Sequence, residues 1–195
     1  MELMPIFVDE ETKEGLYSIV YDNCESCEFD RLFDNWNDVE YVTNYCETNK
    51  EYLNTDYFSD FTIDEIISRI LLEAETLEGQ IENIVNDGFE KKDANLQMLF
   101  KQLHDQQFTI PILQESKAKI DDKRHFPKPI LRVYGLRIDS NTFVVTGGAI
   151  KITQSMQDHV DTNEELNKMG LVKSFLAEIE ITYQDDLLNF YADDL

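Results

Sequence analysis

Lys117 and Lys119 stand two residues apart in "ILQESKAKI" (112–120), a run whose composition predicts a strand, so both side chains fall on one face. Arg132 lies in a second such run, "ILRVYGLRI" (130–138), and Lys151 near the end of a third, "TFVVTGGAIKI" (142–152). Lys123, Arg124 and Lys128 occupy the connection between the first two runs. If the three runs form an antiparallel meander, these cations can converge on one concave face. Such a face suits RNA cleavage by 2′-OH attack. That reaction builds extra negative charge on a phosphorane, and Arg or Lys can stabilise it without a metal. The same cations also fit a plainer role, as rim residues that keep strands soluble and block edge pairing.

Other chemistries find less support. Cys24 and Cys27 form "CESC" and Cys46 is the only other cysteine. A zinc site needs two further ligands at workable spacing, and the neighbouring Glu25 and Glu28 disfavour a reactive thiolate. His104, His125 and His159 sit in no metalloprotease or deaminase pattern. There is no P-loop, no G-x-S-x-G and no dinucleotide fingerprint. The glycine pair in "TGGAI" falls inside a strand run, where it marks a bulge or a close backbone approach. No cofactor and no metal are expected.

The elements that would position the cations are legible in outline. "LYSIVYD" (16–22) predicts a strand. "EFDRLFDNW" (28–36) predicts a helix from Phe29, Leu32, Phe33 and Trp36 at i, i+3, i+4 and i+7. Residues 37–53 predict a second helix. Thr62 and Glu65 form a capping box ahead of an apolar stripe running from Ile66 to Ile84, with Gly88 as its stop. "DSN" joins the last two strand runs as a hairpin. Thr162 and Glu165 read as another capping box, opening a helix that carries Leu166, Met169, Val172, Leu176 and Ala177. The order is strand, helices, antiparallel meander, helix: an α+β domain over 1–178, followed by an acidic tail at 179–195.

The chain has 195 residues, enough for one domain, and 42% hydrophobic residues, enough for a core. Its net charge of −23 is unevenly spread. Residues 1–90 carry −20, residues 91–173 carry +3 and residues 174–195 carry −6. This asymmetry suggests different partners for the two halves, or an acidic surface that serves solubility. No 18-residue apolar run exists, the acidic start does not read as a signal peptide, and three cysteines make no disulfide framework. A cytoplasmic location without membrane contact is expected.

The order of these motifs resembles the RelE/ParE superfamily of toxins, and most closely its phage-derived HigB-like branch. "LYSIVYDNCESCEFDRLF" resembles that family's opening strand, turn and helix. "LFKQLHD" (99–105) resembles its "K-P-L" segment, and "LQESK" (113–117) its "L-x-E-L-R". "LRVYGLRIDSNTFVV" resembles the hairpin that carries "Y-R-V-L-Y", and "AIKITQ" (149–154) resembles "F-V-K-K-T-Q". The similarity spans most of 16–178, with a helical insertion at about 37–60. It implies a small twisted antiparallel sheet packed by helices, with extra N-terminal helices in this chain. It also implies a metal-independent endoribonuclease acting on ribosome-bound mRNA, with a cognate antitoxin and no direct DNA partner.

Position by position, Lys117 stands at the arginine of "L-x-E-L-R" and Arg132 at the arginine of "Y-R-V". Lys151 stands at the first lysine of "K-K-T-Q", and Thr153 and Gln154 at its last two residues. Ile152 replaces the second lysine, and Lys117 lacks the bidentate grip of an arginine. The resemblance implies that Arg132 binds the scissile phosphate, Lys117 and Lys119 stabilise developing charge, and Lys151 orients or protonates. Tyr134 and His159 are the candidate general acids. Lys123, Arg124, Lys128, Thr153 and Gln154 are the candidate RNA contacts. The alternative is a non-enzymatic binding module on the same fold. Its sheet face would be covered by the acidic N-terminal segment, or its acidic surface would engage a basic partner. A third reading is a nucleic-acid mimic.

Overall fold

The computed structural model describes residues 1–53, 58, 60–86, 95–103, 112–120, 128–152 and 160–192. Lys123, Arg124, Thr153, Gln154 and His159 lie outside the described residues, as do His104, His125 and Gly88.

Among the described residues, six strands form one mixed sheet: β1 (Glu2–Val8), β2 (Gly15–Val20), β3 (Phe100–Gln102), β4 (Gln114–Ala118), β5 (Leu131–Asp139) and β6 (Thr142–Ile150), in the order β1-β2-β6-β5-β4-β3. The helices are α1 (Glu28–Asn37), α2 (Val39–Thr48), α3 (Lys50–Leu53), α4 (Ile63–Asn86), α5 (Leu96–Leu99), α6 (Val160–Glu178) and α7 (Gln184–Ala192). The α+β class holds. The meander holds for β4 to β6, which pair antiparallel, and β3, which was not expected from the sequence, adds an antiparallel neighbour to β4. The sheet as a whole is not antiparallel, because β2 runs parallel to β6. β1, an antiparallel edge strand at residues 2–8, was not expected from the sequence.

The sheet is covered on both faces. On one face, Leu131, Val133, Phe143, Val145 and Ile150 pack against Leu32, Phe33 and Trp36 of α1, Val42 of α2 and Ile66, Ile70 and Leu77 of α4. On the other, Tyr134, Leu136, Val144 and Ala149 meet Met169, Val172 and Leu176 of α6 and Leu187 of α7. The helices of the acidic N-terminal half thus lie on the face opposite α6. The stretch at 179–195 contains α7, whose Leu187 is fully buried and whose first turn is held by Asp186 accepting from Thr182 and Tyr183 N–H.

Local chemistry sets the elements. The capping box before α4 forms as expected: Glu65 N–H donates to Thr62 Oγ1, and Thr62 N–H donates to Glu65 Oε2. Asp38 caps α2 by accepting from the N–H groups of Glu40 and Tyr41. Thr162 does not open the last long helix as expected. α6 already begins at Val160, and Glu165 turns inward to the sheet, where Lys168 donates to it.

Candidate functional site

The register of β3 to β6 decides where the cations go. Lys101 pairs with Lys117, Lys117 with Tyr134, and Arg132 with Ala149. Directly paired residues share a face, and so do residues two apart. Lys101, Lys117, Lys119, Arg132, Tyr134 and Lys151 therefore all lie on the face covered by α6, at the sheet end near the start of that helix. Lys101 was not singled out from the sequence. Its position follows only from the pairing of β3 with β4.

Within this group, Lys117 is half-buried and its Nζ donates to the Leu103 carbonyl at 3.1 Å. Arg132 is mostly buried and donates from Nη1 to the Leu131 carbonyl at 2.6 Å. Lys151 is half-buried, and its ammonium is held below its ordinary pKa. Desolvation is the main cause, followed by the charges of Arg132, Lys117 and Lys119. Among the described residues, the charges acting on Lys151 are all positive. An anion placed there would relieve this repulsion. Lys128 is exposed ahead of β5, and its carbonyl accepts from Arg69.

Tyr134 is not placed to act as a general acid on an incoming phosphate. It is 1% exposed and pushed up to about 12 by burial. Opposite it, the β5–β6 ladder slips: Tyr134 pairs with Gly147 and Gly135 with Val145. The glycine pair therefore marks both a bulge and a close approach. A Cβ on Gly147 would overlap Glu165 Oε2, and one on Gly148 would come within 2.8 Å of both Leu32 and Trp36.

Glu165 belongs to a buried charged chain that sequence reasoning missed. Arg31 grips Glu28 with two hydrogen bonds of 2.7 Å. Lys168 bridges Glu28 at 3.1 Å and Glu165 at 2.8 Å. Glu165 is 5% exposed, and burial raises its pKa to about 7 against the pull of Lys168. Lys168 is held above its ordinary value; burial opposes its charge, but Glu165 and Glu28 outweigh burial. The signal was present in the sequence. Glu165 stands four, seven and eleven residues before Met169, Val172 and Leu176, at the head of the buried stripe of α6.

No family model, curated protein or solved structure matches the chain.

The thiols offer no alternative centre. Cys24 is exposed, while Cys27 and Cys46 are buried and their pKa values are raised by burial, to about 11 for Cys46. Among the described residues, no group of His, Cys, Asp and Glu could hold a metal ion. No described helix is long and apolar enough to cross a membrane.

Proposed function

We propose that the cationic end of the sheet binds the ribose–phosphate backbone of single-stranded RNA, and that the protein is a toxin-like, metal-independent endoribonuclease of the RelE type with an antitoxin partner. The observation that supports this most is the repulsive environment of Lys151 beside Arg132, Lys117 and Lys119 on one sheet face. Cations gathered on one sheet face favour an anion, and phosphorane charge is the chemistry they serve. Arg132 and Lys151 bind the reacting phosphate, and Lys117 and Lys119 stabilise the charge that develops. His159 is left as the candidate proton donor.

The test is induced expression in a bacterial host, comparing wild type with Arg132→Ala and Lys151→Ala. Growth arrest by wild type, relieved by both substitutions, is expected. In a reaction containing EDTA, the purified protein should leave 2′,3′-cyclic phosphate ends on RNA.

A second reading has its own support. Burial of Tyr134 removes one of the two candidate acids, which favours a module that binds RNA or a basic protein without cutting. Normal growth with abundant soluble protein, and intact RNA, would select that reading. The acidic helices of the N-terminal half do not supply the cover it imagined for the cationic face, since α1, α2 and α4 pack on the opposite face.

A further inference from the structure

A cleft of about 580 Å³ opens between α1, α2, α6 and the free edge of β6. β2 pairs with β6 only over Thr142–Val145, while β6 runs on to Ile150. Alternation fixes where the remaining backbone groups point. Lys151 N–H donates to the Ile130 carbonyl at 2.8 Å, so Lys151 and Ala149 turn their N–H and C=O to β5. Gly148 and Ile150 turn theirs the other way, toward the cleft. Two carbonyls on this edge are taken by phenols: Tyr21 donates to Thr146 at 2.7 Å and Tyr45 to Ile150 at 3.1 Å. Gly148 lies between the two, and its N–H and C=O have no partner among the described residues. It is also the one residue of β6 that is not buried. Facing it, Asn35 of α1 and Asn44 of α2 line the cleft with side-chain amides that have no hydrogen-bond partner among the described residues.

We propose that this cleft docks an extended, lysine- or arginine-bearing segment of a partner protein, added as a short antiparallel strand opposite Gly148. The site is separate from the cationic face, since Lys117, Lys119, Arg132 and Lys151 do not line the cleft. A donor and an acceptor presented by one extended residue are what a strand of main chain pairs with. From Thr146 to Ile150 the edge is about 13 Å long, room for about four residues of extended chain. The phenols at its two ends limit the main-chain grip to two hydrogen bonds at Gly148. Asn35 and Asn44 offer their amides to the remaining peptide groups. Charge sets the kind of segment. Residues 28–48, which form the α1–α2 wall, carry six carboxylates against one arginine. The two cations that line the cleft are both engaged: Arg31 grips Glu28, and Lys168 bridges Glu28 and Glu165. Glu164 lines the cleft exposed and, among the described residues, without an ion pair. A basic segment is drawn to such a rim and an acidic one is repelled.

The probe is a fluorescently labelled decamer of alternating lysine and threonine, blocked at both ends and followed by anisotropy. It should bind about ten-fold tighter than the same decamer N-methylated at every residue, which keeps the charge and removes the main-chain donors. A decamer of alternating glutamate and threonine should not bind. In the complex, hydrogen exchange at the Gly148 amide, read by NMR, should slow. Asn44→Arg puts a cation into the cleft from an exposed position and should abolish binding. Asn83→Arg, the same charge change at an exposed position of α4, should leave binding unchanged. Equal affinity for the plain and N-methylated decamers, or a Gly148 amide that stays unprotected, would overturn the strand site, and both are read on wild-type protein. Equal affinity for the basic and acidic decamers would overturn the charge preference. Equal weakening by the two arginine variants would reduce the binding to net charge and overturn the cleft. A uridine decamer that protects Gly148 where the peptide does not would give the cleft to RNA. A wild-type dimer dissociated by Asn44→Arg would give it to a second copy. Either result would overturn the basic segment as occupant.

Discussion

Glu165 carries the sharpest consequence at the scale of the residue. The charged groups facing it are Glu28 and Arg31 from α1, Lys168 from its own helix, and the phenols of Tyr21 and Tyr134. Its carboxyl titrates near 7 in the folded protein against an ordinary 4.5. A carboxyl raised on folding stabilises the protein fully below its unfolded value. That stability is lost as pH rises through about 7. The difference corresponds to about 3 kcal/mol. Wild-type stability should therefore fall between pH 5 and pH 8 more steeply than that of Glu165→Gln, measured by urea unfolding at intervals of one pH unit. Parallel profiles would mean that the carboxyl is solvated or stays ionised throughout. The sequence hid this group because Thr162 and Glu165 have the spacing of a capping box. The same spacing is satisfied inside a helix whose start lies two residues earlier. Local pattern alone does not say whether an acid three residues along a helix turns back to the cap or down to the sheet.

At the scale of the element, Glu73 shows a similar concealment. It falls three residues after Ile70 and four before Leu77, within the apolar stripe of α4, and it is fully buried. Its two oxygens accept from the N–H groups of Ile130 and Leu131 at 2.7–2.9 Å. It thereby ties α4 to the start of β5, one residue before Arg132. Burial pushes its pKa up, against those backbone donors. Glu73→Leu would leave two buried donors unpaired and should cost about 3 kcal/mol in urea unfolding. Glu73→Gln, which keeps one carbonyl acceptor, should cost less. Equal losses would mean that the hydrogen bonds do not matter. Much else at this scale was legible: the α4 capping box, the stripe from Ile66 to Ile84, the β5–β6 hairpin and the glycine bulge all rest on short-range pattern. The parallel pairing of β2 with β6 and the edge strand β1 were not legible. The first joins segments more than a hundred residues apart, and the second is an apolar run interrupted by Pro5 and mostly left unburied at the sheet edge, so it shows no period of two. Convergence of the cations was half legible. Spacing put Lys117 and Lys119 on one face, but only the register across four strands added Lys101, Arg132 and Lys151.

At the scale of the whole molecule, a polyanion must approach a protein of net charge −23. Half of the 24 acidic side chains of residues 1–90 lie on α1 to α4, which pack on the face away from Lys151. Distance and salt decide whether an RNA feels the cationic face or the entire charge. The Debye length is about 30 Å at 0.01 M salt and about 10 Å at 0.1 M. A domain of this size has a radius of gyration of about 16 Å. At 0.01 M an approaching strand is therefore repelled by the far acidic helices as well as drawn by the near cations. At 0.1 M it responds mainly to the cations. RNA affinity should rise from 0.01 M to about 0.1 M salt and then fall. Four phosphates neutralised by Lys117, Lys119, Arg132 and Lys151 give a high-salt slope of about −3 in log K against log salt, at about −0.7 per phosphate for a single strand. Lys151→Ala should shallow that slope by about 0.7 and leave the low-salt loss in place, because it removes one contact and leaves the acidic helices untouched. An affinity that keeps strengthening down to 0.01 M would show that the acidic half lies outside the reach of the bound strand, and that charge asymmetry plays no part in selecting the ligand.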